Sequence, residues 1–137
     1  MNIPNLNYEK KAFILIVQSH FYRGELRETM GTLGKIKDEF GDEVYVEVEF
    51  WTSLVKWKQN KPQPAINDLN ELINYGLNVD MEAKAYLAIA EIFLEQKMHA
   101  EAMDNLEKSA ERIQDQNEKG QIYYRIAELS FDAKSYD

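Results

Sequence analysis

What most constrains this chain is that it repeats itself. A shift of 37 residues lays Leu87-Ala-Ile-Ala-Glu-Ile-Phe-Leu-Glu-Gln-Lys97 over Tyr124-Arg-Ile-Ala-Glu-Leu-Ser-Phe-Asp-Ala-Lys134, and Ile, Ala, Glu and Lys recur in place. The same shift puts Ala102 and Leu106 over Ala65 and Leu69. A further 36 residues back lie Thr29 and Leu33, with Trp57 over Phe21. Four registers in phase predict a stack of similar units, because a unit of this length cannot bury its apolar face alone. The units expected are about 8–41, 42–79, 80–116 and a short last one, 117–137, in a single helical repeat domain spanning 1–137.

Each unit reads as two amphipathic helices. In the third, Ala83, Tyr86, Leu87, Ala90 and Leu94 form an i, i+3, i+4, i+7 stripe, preceded by Asp80 as N-cap. After a break at Lys97–His99 a second stripe follows, Ala102, Met103, Leu106 and Ala110. In the second unit the break is KPQPA, where Pro62 stops one helix and Pro64 suits the first position of the next. Gly41 and Gly76 stand where a left-handed residue ends a helix. Val44–Trp51 alternates like a strand, but Asp42 as N-cap and the repeat register predict helix there.

The pattern resembles the tetratricopeptide repeat family, whose unit of about 34 residues is a pair of antiparallel helices with small residues at their crossing. Ala90, Ala127 and Ser53 hold the first-helix small position, and Ala102 and Ala65 the second-helix one. Val17 and Thr29 depart from it in the first unit, and the family's Trp-x-x-Leu-Gly run and closing proline are missing. The resemblance implies an all-α, right-handed solenoid of antiparallel helix pairs, with about three and a half repeats and seven helices. The last unit then carries an unpaired helix, with Tyr136 at the turn that would follow it. A narrower resemblance rests on HFYRGEL, AEIFLEQ and the EK…YYRIAEL stretch. These look like the repeats of bacterial lipoproteins in type IX secretion, gliding and outer-membrane assembly, and imply a periplasm-facing parent, where a cytoplasmic chain is the alternative.

Composition narrows the function classes. The net charge of −8 disfavours nucleic acid, which needs a basic face to release counterions. The absence of cysteine removes disulfide scaffolds, thiolate zinc sites and cysteine nucleophiles. No apolar run approaches the roughly 20 residues of a membrane span, and the start lacks a signal peptide, so direct membrane contact is not expected. His20 and His99 lie far apart at hairpin turns, and no metal-binding spacing occurs. Gly31-Thr-Leu-Gly-Lys35 fails as a phosphate loop, since its glycines are too close and Ile36 replaces the hydroxyl residue. Asp38, Glu39, Asp42 and Glu43 lack the graded spacing of a calcium loop, and Asp42 and Glu43 suit the N-terminus of the next helix instead. No cofactor and no catalysis are therefore expected.

In the family, first helices line a concave face that binds peptides or proteins. Carried over by register, the candidate partner-binding residues are Gln18, Tyr22, Phe50, Leu54, Trp57, Lys58, Lys84, Glu91, Glu95, Tyr124 and Glu128. The carboxylates Glu91, Glu95, Glu128 and Asp132 favour a basic or amine-bearing partner. Trp57, Phe21, Leu94 and Phe131 form an apolar row that serves either helix packing or groove lining. The resemblance also allows self-association through the last helix.

Overall fold

The computed structural model describes residues 3–135. Its elements are α1 (Ile3–Tyr22), α2 (Leu26–Phe40), a 3-10 turn (Gly41–Val44), α3 (Tyr45–Lys58), α4 (Pro62–Gly76), α5 (Val79–Glu95), α6 (His99–Arg112) and α7 (Gln116–Ser135). No strand occurs among the described residues. Two compact units divide the chain, Met1–Asp68 and Leu69–Asp137. Tyr136, the expected turn residue, lies outside the described residues.

The repeat reappears in the backbone of the helix hairpins. Gly24, Asn60 and Lys97, spaced 36 and 37 residues apart, adopt positive φ of 78°, 64° and 61°. At each, the residue's own N–H donates to the carbonyl three back: Phe21 at 2.9 Å, Trp57 at 3.0 Å, Leu94 at 3.0 Å. The next N–H donates five back, to His20, Lys56 and Phe93, at 2.9, 3.0 and 2.9 Å. This paired closure satisfies the orphan carbonyls of the helix end through a left-handed residue. The turn is therefore kept while its residue changes from Gly to Asn to Lys.

Several local expectations shift. Asn78, not Asp80, caps α5, its side chain accepting from the Met81 N–H at 2.8 Å, and Asp80 lies inside the helix. Asp42 caps nothing, because the 3-10 turn runs directly into α3. Pro62 opens α4, a position that needs no N–H, whereas Pro64 follows within its first turn. Val44–Trp51 is helical apart from Val44 in the turn, as the register requires.

The first unit packs Val17 and Phe21 of α1 and Leu33 and Ile36 of α2 with Val48, Trp51 and Val55 of α3. The Trp51 ring meets Phe21 edge-on at 5.4 Å. In the second, Ala90, Leu106, Ala110 and Ile122 form the core, with Leu87, Ile113, Ile126 and Leu129 packed on it. The buried face of α5 is wider than the expected stripe: Ala83 and Ala90 are buried as expected, Ala85, Ala88, Ile89 and Ile92 are buried as well, and Tyr86, Leu87 and Leu94 are only half-buried. On α6, Ala102, Leu106 and Ala110 are fully buried as expected, while Met103 is half-buried.

Three buried hydroxyls each find a carbonyl. Thr29 donates to Glu25 and Ser53 to Glu49, both at 2.8 Å and one turn back on their own helices. Thr29 thus fills the alanine position without leaving a polar atom unpaired. Ser109 donates across to the Ala83 carbonyl at 2.8 Å, fixing the end of α6 against the start of α5 in an antiparallel pair.

Candidate binding cleft in the second unit

Helix α6 ends at Arg112 because Ile113 turns extended, with ψ of 129°. Asp115 then starts α7 by accepting the Glu118 N–H through Oδ2 at 3.0 Å. The short connection is held against α5 by Arg112. Its Nε donates to Glu82 Oε2 at 3.1 Å, its Nη1 to the Lys108 carbonyl at 2.8 Å, and its guanidinium lies 4.7 Å from the Tyr86 ring centroid. A planar cation that bonds two acceptors and stacks on a ring has little freedom left, so the loop has a fixed path.

That path leaves a cleft of about 590 Å³ between α5, the loop and α7. Ala83, Leu87, Ile113 and Ile122 supply its apolar lining. Asp80, Lys84, Gln114, Asp115, Glu118 and Gln121 stand around it, all exposed. Three carboxylates thus face one ammonium across an apolar floor. Concave, mostly apolar surface with a few polar groups is the usual form of a binding site.

Two repeats earlier, the first unit fills the same register differently. Phe40 stands in the place of Ile113 and meets Phe13 edge-on, centroids 6.1 Å apart at 76°. Lys10 stands in the place of Ala83, and its ammonium reaches Glu43 Oε2 at 3.6 Å. There the connection is the 3-10 turn, with Val44 buried beneath it.

Of the expected partner-binding residues, the cleft gathers only Lys84. Phe50 and Leu54 are core residues, each 6% exposed, and so are not available as surface anchors. They lie on a helix buried on several faces, where register alone cannot tell a displayed residue from a packed one. Glu91 is taken within the chain by Arg125, which donates to both carboxylate oxygens, one of them at 3.1 Å. Trp57 is half-buried, with the Lys58 ammonium 3.7 Å from its ring centroid. Gln18 is half-buried, and Tyr22 is 76% exposed with its ring edge against Phe21 and Trp51. Glu95, Glu128 and Tyr124 are exposed on α5 and α7, as are Ala127 and Phe131. The apolar row is therefore graded: Phe21 is buried, Trp57 and Leu94 are half-buried, and Phe131 is 72% exposed.

Sequence reasoning missed Ile113, Asp115 and Glu118. Their signal was present, as an aspartate three residues before an α7 amide that needs a cap, following an isoleucine outside the α6 stripe. Among the described residues no group of three or more metal-ligating side chains converges, and no helix is long and apolar enough to cross a membrane. His20 pairs with Glu25 at 2.9 Å beside the first hairpin, and His99 is exposed at the start of α6. No protein-family model matches the chain, and comparison with curated proteins returns no match.

Proposed function

We propose that this chain is a protein-interaction scaffold of the tetratricopeptide type, a right-handed α-solenoid that binds a peptide or protein segment on its first helices and carries out no bond chemistry. The observation that carries this reading is the cleft lined by α5 and α7, both first helices, with an apolar floor and a polar rim. Support comes also from the three equivalent hairpin turns, which mark the repeating pairs on which such scaffolds are built. A cleft of about 590 Å³ has room for several side chains of an extended segment. Binding would come from apolar anchors, and discrimination from the rim.

The test is selection of short peptides from a random library displayed against the immobilised chain. Enriched sequences are then synthesised and titrated by calorimetry. Saturable one-to-one binding, with peptide mass unchanged after prolonged incubation, is the expected result. Peptides that emerge cleaved or modified would replace this reading with an enzymatic one, and a library that yields no saturable binder would remove it.

A further inference from the structure

The two units offer an internal comparison that says what the open cleft should hold. In the first, Lys10 extends from α1 and its ammonium meets Glu43 at 3.6 Å. Its side chain is 30% exposed, so most of the aliphatic stem is covered while the charged end stays near water. That is the usual compromise of a lysine, whose methylenes pack on apolar surface and whose head reaches solvent. In the second unit the same register holds Ala83, which has no stem and no charge. Glu43 has no acidic counterpart, since its register holds Gln116, but three other carboxylates stand nearby. Asp80, Asp115 and Glu118 line the cleft, and among the described residues no cation pairs with them.

We propose that the cleft between α5 and α7 receives a lysine or arginine side chain of a partner protein, with an apolar residue of the same segment beside it. The proposal rests on the scaffold reading and specifies its ligand. The stem lies along Ala83 and Leu87, in the role that the Lys10 methylenes play in the first unit. The charged end meets Asp80 and Glu118, which have no capping duty, while Asp115 keeps one oxygen on the Glu118 N–H. Ile113 and Ile122 remain for the neighbouring apolar residue, since the cleft is larger than one side chain fills. Lys84 is the single ammonium on the rim and is outnumbered three to one. An acidic segment would meet both these carboxylates and a chain of net charge −8.

Two variants of the full chain test this. Ala83→Lys supplies the plug from within, as Lys10 does in the first unit. Asp80→Asn with Glu118→Gln removes two exposed charges and leaves the core and the α7 cap untouched, which guards against a folding failure of the first variant. The probes are the peptides enriched on the unmodified chain, with binding measured by calorimetry and mapped by amide chemical shifts. Expected are sequences rich in Lys or Arg next to an aliphatic residue, with shifts confined to Asp80–Leu87 and residues 113–122. Each variant should weaken binding about five- to tenfold, and the loss should shrink as salt is raised, because exposed charges are screened. Peptides that bind elsewhere, or that bind both variants as tightly as the unmodified chain, would overturn this assignment and leave the scaffold reading in place. A library without binders removes both.

Discussion

The junction between α1 and α3 and the one between α5 and α7 occupy one register and are built from different materials. In the first unit the end of α2 is closed by apolar contact, Phe13 against Phe40, with Lys10 and Glu43 alongside. In the second the end of α6 is closed by a cation, Arg112, held by Glu82, the Lys108 carbonyl and the Tyr86 ring. The large aromatic residue at position 40 packs edge-on against Phe13. Ile113 in the same register is smaller and sits on extended backbone, so the space beside it stays open. The hairpin turns, by contrast, are the same in both units down to their hydrogen bonds. Each pair is thus held by a fixed turn, while the surface between pairs differs from one unit to the other.

The comparison is broken most severely through the cores. Leu33 and Leu106 share a register and are 1% and 0% exposed. Truncating either removes buried methyls and leaves a cavity, so Leu33→Ala and Leu106→Ala should each cost about 2–5 kcal/mol in urea unfolding followed by circular dichroism. Losses that differ by more than twofold would show that the two units do not share one packing scheme, despite the common register.

A middle-sized effect separates the junctions by mechanism. Phe40→Ala should cost about 2 kcal/mol, since it removes half-buried ring area and an edge contact. Arg112→Gln should cost about 1 kcal/mol, because the Arg112–Glu82 pair is partly solvated, with side chains 29% and 26% exposed. The discriminating measurement is salt. At 1 M, where the screening length is about 3 Å, the Arg112→Gln penalty should shrink and the Phe40→Ala penalty should not. Equal salt dependence would erase the distinction drawn between the two closures.

How much of this was legible in sequence depends on how many neighbours a helix has. Second helices bury one face only. The α6 stripe of Ala102, Leu106 and Ala110 is therefore written plainly, and Thr29, Leu33 and Ile36 of α2 fall in register with the buried Ala102, Leu106 and Ser109. The first helices α3 and α5 are buried on more sides. Val48, Phe50, Trp51, Ser53, Leu54 and Val55 are all buried on α3, and such crowding reads locally as an alternating apolar strand. The same crowding widened the buried face of α5 beyond its expected stripe and hid Phe50 and Leu54 in the core. Period and register were readable because they need only matching residues. The cleft was not, because it depends on where α6 stops, which the Arg112 interactions across to α5 decide. Glu91 likewise looked free until Arg125, 34 residues on, was placed beside it.

The smallest effect tests the feature the units share. Gly24, Asn60 and Lys97 hold the same left-handed turn, but only glycine does so without steric cost. Asparagine tolerates the conformation, whereas a lysine there sets its Cβ close to the following carbonyl. Lys97→Gly should therefore stabilise the chain by about 0.5–1 kcal/mol, the strain relieved exceeding the added entropy of the unfolded glycine. Gly24→Ala should destabilise by a similar amount, and Asn60→Gly should change little. The reading is the urea midpoint at constant m-value, which separates a change in stability from a change in the surface exposed. If Lys97→Gly instead lowered the midpoint, the lysine side chain itself would be contributing at that turn, and the third hairpin would no longer be equivalent to the first.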